Sequence, residues 1–274
     1  LLLGVDCAKS TAPDHSNLKV TRISGRPCKV RKTHLIPGFS PDVKFRSYNS
    51  NVQALEAALK ERVFYVKDKN NLFVSPPEPV ENVFTNRLKY VSKHFNRSNT
   101  FSTRMTYQRY VDTCPPQKRL VYQRAMESLN IKGIKKKDSY IGVFVKFEKL
   151  HFKSDKTPVP RVISPRKPRY NLELGTYIRP IEKRIYTLID KLFGSKTVMK
   201  GLNMEQRGEI IYKHFMSYQK CVAISLDASR FDQHVSVSAL QWEHTMYKIF
   251  WPRDNHFRKL LKWQLLNRGF AVLP

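Results

Sequence analysis

The sequence predicts a helix-rich α+β fold, and three patterns predict it. Apolar residues recur at helical spacing in several runs, most clearly at Ile181, Ile185, Leu188, Ile189, Leu192 and Phe193. Residues 140–147 alternate instead. Ile141, Val143, Val145 and Phe147 fall on one side and Tyr140, Phe144 and Lys146 on the other, as in a strand with a wet edge. Cys221-Val222-Ala223-Ile224-Ser225-Leu226 is nearly all apolar, the pattern of a short strand buried on both faces. A length of 274 residues, 41% of them hydrophobic, is enough for a sizeable core and argues against wholesale disorder.

The elements follow in order. Residues 1–45 read as an extended arm, because Pro13, Pro27, Pro37, Pro41, Gly25 and Gly38 favour turns, with a short strand around Val30. Asn51 can cap a helix whose face carries Val52, Leu55, Ala58 and Leu59. Val63-Phe64-Tyr65-Val66 is short and β-prone, and Pro76, Pro77 and Pro79 then break the chain. Residues 82–95 predict a helix through Val83, Phe84, Leu88 and Val91. Another helix after Pro115-Pro116 carries Leu120, Val121, Ala125 and Leu129, and the basic loop 132–137 follows it. Arg161-Val162-Ile163-Ser164 is the expected partner strand of 140–147. The helix over 181–193 has Pro180 suited to its first turn. Further helices are predicted near 205–217, 236–250 and 254–267.

Charge and cysteine usage narrow the function. A formal net charge of +28 makes a polyanion the default partner. No apolar run is long enough to span a membrane, and the apolar start, residues 1–5, is too short for a signal-peptide core. Cys7, Cys28, Cys114 and Cys221 are far apart, which signals neither a zinc site nor a disulfide framework and suits reduced thiols. His214, His234 and His244 stand alone, without a Ser or Cys partner at triad spacing. The chain starts at Leu1 rather than Met and stops in an apolar run at 269–274, as expected of a fragment.

Two constellations can carry chemistry. In Asp227-Ala228-Ser229-Arg230-Phe231-Asp232 a strand delivers Asp227 at its carboxyl end, and Asp232 follows after a turn. Two such carboxylates can face one cavity and hold a divalent cation with oxygen ligands. The spacing alone arises readily by chance, and it also describes a strand-end Asp capping the next turn. A phosphatase of the haloacid-dehalogenase type needs an Asp two residues after the first, where Ser229 stands. The second constellation is residues 132–184, with 15 Lys and Arg against 5 acids and with Tyr140, Phe144, Phe147, Phe152 and Tyr170 interleaved. Arginines on a hairpin can clamp phosphates, and a solvated basic face that binds RNA without specificity has the same composition.

The order of these pieces resembles the RNA-dependent RNA polymerases of plus-strand RNA viruses, above all those of the plant-virus family Tombusviridae. Pro160-Arg161-Val162-Ile163-Ser164-Pro165-Arg166 looks like motif F, with Val143-Phe144-Val145-Lys146-Phe147-Glu148-Lys149 as its first strand. Ile178-Arg179-Pro180-Ile181-Glu182-Lys183 is similar to the run into the next fingers helix. Ser225-Leu226-Asp227-Ala228-Ser229-Arg230-Phe231-Asp232-Gln233-His234 is similar to motif A, and Glu61-Arg62-Val63-Phe64-Tyr65-Val66 fits the same family. The likeness covers residues 50–274.

The resemblance implies a right-hand polymerase fold. Residues 1–45 would be an N-terminal arm, 46–220 the fingers with motif F across 143–184, and 221–274 the beginning of the palm with motif A at 222–234. It implies template-directed RNA synthesis from nucleoside triphosphates by a two-Mg²⁺ mechanism, with Mn²⁺ as an alternative ion. Asp227 would be the catalytic metal ligand, and Asp232 would face the ribose 2′-hydroxyl. Arg161, helped by Lys156 and Arg166, would grip the triphosphate. Lys146 and Lys149 would line the nucleotide path or the template channel. The implied partners are template and product RNA, nucleoside triphosphates and other replicase components. The implied location is host cytoplasm, at membrane-associated replication complexes. The family pattern continues with an S-G…T…N motif B and a G-D-D motif C, and neither follows Asp232 here. The expectation is therefore a chain inactive by itself, with the apolar edge at 221–226 inviting association. The alternative is a non-catalytic basic RNA-binding protein. A coat-protein reading has no support.

Overall fold

The computed structural model describes residues 45–48, 50–98, 101–148, 150–151 and 158–271. Nearly all of the predicted arm, including the strand expected near Val30, and also Lys149 and Lys156, lie outside the described residues. The chain is helix-rich with small sheets. Its elements run β1 (Phe45–Arg46), α1 (Val52–Leu59), β2 (Val66–Lys67), β3 (Phe73–Val74), α2 (Lys89–Arg97), α3 (Tyr107–Asp112), α4 (Pro116–Ile131), β4 (Ile141–Val145), β5 (Leu150–His151), β6 (Val162–Ile163), α5 (Pro168–Phe193), α6 (Met204–Met216), α7 (Val237–Ile249), α8 (Asn255–Lys262) and β7 (Gly269–Ala271).

Helix α5 is the spine, and it is longer than the sequence pattern predicts. Pro168 occupies its first turn, and Pro180, expected there, sits inside the helix. An internal proline removes one backbone bond. Burial on both sides of it holds the helix together: Tyr170, Leu172, Thr176 and Tyr177 before it, Ile181 and Leu188 after it. Gly194 ends the helix in the left-handed conformation at φ 71°. Asp190 then fastens the exit. It accepts from the Thr197 and Val198 amides at 2.8 and 3.2 Å and pairs with Lys196 at 2.7 Å.

Two cores meet on α5. The larger joins α2, α5, α7 and α8 through Phe95, Tyr177, Ile181, Phe250, Phe257 and Leu260. Tyr177 stacks on Phe257 at 4.8 Å between ring centroids and meets Trp251 edge-on at 5.4 Å. The smaller joins α3, α4 and α5 through Tyr110, Cys114, Ala125, Leu129 and Leu172. There Gly175 is required, because a Cβ at this position would collide with the Tyr110 ring. Between these cores the buried Glu173 accepts from Arg104 at 2.6 Å and contacts His256 at 2.8 Å, and Tyr107 donates to it as well.

Strand β4 forms over part of the alternating run, with Val145 buried and Phe144 on the open side, while Phe147, expected on the Val145 side, lies past its end and is exposed. Its antiparallel partner is β6, with Phe144 opposite Ile163 and Val145 opposite Val162. Its other edge pairs in parallel with β7, from Ile141–Gly269 to Val143–Ala271. Helix α1, capped by Asn51 on the Ala54 amide at 2.7 Å, packs Ala54 and Leu55 against Val145.

Three local expectations are corrected. The β-prone stretch at 63–66 is entered by a π-helical turn, Lys60–Phe64, that continues α1, and only Val66–Lys67 is a strand. The single helix expected over 82–95 is a π-helical turn, Val83–Arg87, followed by α2. The apolar run 221–226 is no strand: Val222, Ile224 and Leu226 are 87%, 79% and 90% exposed. A strand must pair its amides and carbonyls with a neighbour, and among the described residues no strand lies beside this run. Among the described residues no helix is long and apolar enough to cross a membrane.

Candidate functional site

Three pieces of chain far apart in sequence converge at one place. They are the hairpin of β4 and β6, the π-helical turn Lys60–Phe64 with Tyr65 after it, and the short 3-10 turn Phe231–His234. The hairpin sets the first group. Arg161, just ahead of β6, accepts the Lys146 amide at 2.7 Å, which prolongs the ladder and fixes the residues on either side. Glu148 then takes both a cation from each strand and a fork from one. Arg161 Nε donates to Oε1 at 2.7 Å, a second guanidinium nitrogen reaches Oε2, and Lys146 Nζ lies 3.1 Å from Oε2. The Arg161 contact holds the Glu148 carboxyl below its ordinary range, and Lys146 adds to that effect. Glu148 in turn raises Arg161 above its ordinary value.

The second group comes from the turns. Arg62 Nε donates to the Val159 carbonyl at 3.2 Å, which ties the π-helical turn to the approach of β6. Arg230 donates to the Glu61 carbonyl at 2.5 Å, and Gln233 Nε2 donates to the Tyr65 carbonyl at 2.5 Å. Burial lowers the Arg62 pKa first, and the fields of Arg230 and Arg161 lower it further against Glu148 and Asp232. Asp232 also acts on Arg161. Four cations, Lys146, Arg62, Arg161 and Arg230, therefore share one neighbourhood with two carboxylates, Glu148 and Asp232. Such a set has a cationic surplus and forked donors, the chemistry that receives a phosphate chain.

The structure thus brings Arg161, Lys146 and Asp232 together. Arg166 is engaged elsewhere. Its guanidinium donates to the Ser139 carbonyl and to Asn267 at 2.6 Å, and lies over the Tyr170 ring at 5.4 Å. That tie joins the start of α5 to the loop before β7, and burial lowers the Arg166 pKa there. Asp227 lies exposed in the irregular run before the 3-10 turn. Among the described residues no group of three or more His, Cys, Asp or Glu could hold a metal ion. Mg²⁺ is held in such sites by one or two carboxylates, with waters and substrate phosphates completing its shell, and the exposed Asp227 is a carboxylate of that kind.

Sequence reasoning missed Arg62, Arg230 and Glu148 as members of this cluster. All three stand inside the strings that carry the family resemblance, but nothing in their local spacing shows that they meet across the fold. A separate cavity of about 400 Å³ opens between residues 78–85 and α7, beside Phe84 and Trp242, and none of the predicted site residues lines it.

A family model described as viral RNA dependent RNA polymerase matches residues 19–274. The protein of oat chlorotic stunt virus named RNA-directed RNA polymerase is 43% identical over 282 residues, covering 100% of this chain and 37% of its own length. The maize chlorotic mottle virus protein of the same name is 43% identical over 247 residues, covering 89% of this chain and 25% of its own length. The turnip crinkle virus protein of that name is 37% identical over 243 residues, covering 89% of this chain and 31% of its own length. The chain spans between a quarter and somewhat over a third of the length of these curated relatives.

Proposed function

This chain belongs to the viral RNA-dependent RNA polymerase family, and from that premise we propose that it serves template-directed RNA synthesis, joining nucleotides from triphosphates to an RNA 3′-end during viral RNA replication. The observation that carries this reading is the meeting of Arg161, Lys146 and Glu148 on the hairpin with Asp232 on the 3-10 turn. In it Arg161 grips the triphosphate, with Arg62 and Lys146 adding to the field, and Asp232 faces the ribose 2′-hydroxyl. Lys156 and Lys149 extend the grip along the nucleotide and template paths. Residues 46–220 serve as fingers and 221–274 open the palm of a right-hand fold. Lewis-acid assistance from Mg²⁺ at the 3′-hydroxyl and at the leaving pyrophosphate is the chemistry that the ion supplies in such enzymes. Asp227 would offer one carboxylate ligand to the ion. With no S-G…T…N or G-D-D pattern after Asp232, the 274 residues are expected to bind nucleotide and RNA without sustaining synthesis.

The test is nucleotide incorporation on a primed template by the full-length viral protein carrying Asp227→Ala. Loss of incorporation with RNA affinity kept supports the reading. Undiminished incorporation sinks it. A protein that only bound RNA would show no incorporation in either form, with an affinity that falls with salt at a slope of about −0.7 per phosphate contacted.

A further inference from the structure

We infer that Arg230 and Gln233 are positioning residues for Asp232, fastening its turn to the backbone of residues 60–65 so that ribonucleotide selection is set partly from that distant segment. The inference rests on the ribose role proposed for Asp232.

The turn cannot hold Asp232 by itself. Phe231–His234 is a four-residue 3-10 turn with no buried residue, and an isolated turn of this kind is loose. The run before it, 221–228, has no ladder partner among the described residues. Two side-chain bonds supply the missing restraint. Arg230 reaches the Glu61 carbonyl and Gln233 the Tyr65 carbonyl, each at 2.5 Å and across 169 and 168 residues of sequence. The two pegs flank Asp232, and their acceptors lie at the end of one π-helical turn, closed by the Tyr65 amide on the Lys60 carbonyl at 2.9 Å. Carbonyls at a helix end lack helical donors, so side chains that supply one satisfy both partners.

Local geometry agrees. Arg230 adopts the left-handed conformation, φ 54° and ψ 42°, which a side chain larger than glycine rarely takes unless its surroundings fix it. The Gln233 backbone N–H donates to the Arg230 carbonyl at 2.9 Å, so the turn itself links the two residues that carry the pegs. Gln233 Oε1 is buried and meets no donor among the described residues. The amide cannot flip to relieve it, because that would set oxygen against the Tyr65 carbonyl. Gln233 is thus held in place for its donor. A carboxylate that reads a hydroxyl must sit within a fraction of an ångström, so loosening the pegs reaches Asp232 without touching it.

The experiment compares kcat/KM for ATP and dATP in the full-length viral polymerase. Gln233→Leu, which keeps the stem and removes the donor, is expected to lower the ribonucleotide preference roughly tenfold, the scale of one lost hydrogen bond held in a fixed geometry. Arg230→Ala should do the same, and Arg230→Lys should restore most of it. Asp232→Asn is the control. If it abolishes the preference while Gln233→Leu and Arg230→Ala leave it intact, the positioning role is overturned and the reading of Asp232 stands. If Asp232→Asn leaves the preference untouched, the reading of Asp232 itself fails and takes the inference with it. Amide hydrogen exchange guards against a variant that is merely unfolded. Gln233→Leu should speed exchange at 231–234 about tenfold and leave α5 unchanged, and protection unchanged at 231–234 also overturns the role.

Discussion

Helices α5 and α6 begin from different signals, a proline in the first turn of one and a capping box on the other, and the better-capped helix is the less buried. Helix α5 buries Tyr170, Leu172, Glu173, Thr176, Tyr177, Ile181 and Leu188, and tolerates a proline in its middle. Helix α6 has a full capping box, with Asn203 and Gln206 bonded reciprocally at 2.8 and 3.1 Å, and buries none of its residues. The two apolar strand-like runs repeat the contrast. Residues 141–145 gain β6 on one edge and β7 on the other, while 221–226 gain neither and stay exposed. Caps and periodicity decide whether a segment can be helical. Whether it carries stability is decided by what packs on it.

The sharpest way to break this comparison is truncation on both helices. Tyr177→Ala should cost about 3–5 kcal/mol, because it empties a stacked aromatic core. Ile211→Ala on α6, whose side chain is exposed, should stay within about 0.5 kcal/mol. Urea denaturation of the two variants reads the difference, and comparable losses would refute the contrast. Gly175→Ala comes next, at about 1–3 kcal/mol, since the new methyl must push Tyr110 out of its place in the packed lobe.

A smaller effect should appear with pH. Burial holds the His244 imidazole, which lies 3.0 Å from Gln264 Oε1, below its ordinary value of 6.5. The folded chain therefore keeps this ring neutral where the unfolded chain protonates it. Stability is present in full above pH 6.5 and declines as pH falls from there toward the lower folded value. Melting temperatures at pH 7.5 and 5.5 should differ in that direction, and His244→Gln should reduce the difference. A melt that rises on acidification would contradict the sign. The smallest change in stability is expected from Val222→Ser with Leu226→Ser, about 0.5 kcal/mol or less. The same pair should reduce self-association in sedimentation experiments, because it removes apolar groups from an exposed run.

The helical lobe was legible because its periods are local. The face of α1, the cap at Asn51 and the Ala125 and Leu129 positions of α4 follow from residues within a turn or two of one another, whereas Leu120 and Val121, expected on the same face of α4, are exposed. Pro180 misled, because a proline opens a helix more often than it sits inside one, and only the burial of Tyr177 and Ile181 around it explains the exception. The run at 221–226 misled for the complementary reason: its composition describes a buried strand, and burial needs a neighbour that composition does not name. At the candidate site Arg161, Lys146 and Asp232 were singled out through motif resemblance. The carboxylate Glu148 shared by Arg161 and Lys146 depends on the hairpin closing, and the pegs at Arg230 and Gln233 depend on contacts between segments up to 169 residues apart, which no local pattern encodes.

Equilibrium binding of ATP to the 274-residue chain at low salt, wild type against Arg161→Ala, tests the central claim that this cluster receives a triphosphate. Binding about tenfold weaker in the variant, with its melting temperature kept, is the expected result. Equal affinity in the two forms would contradict the account.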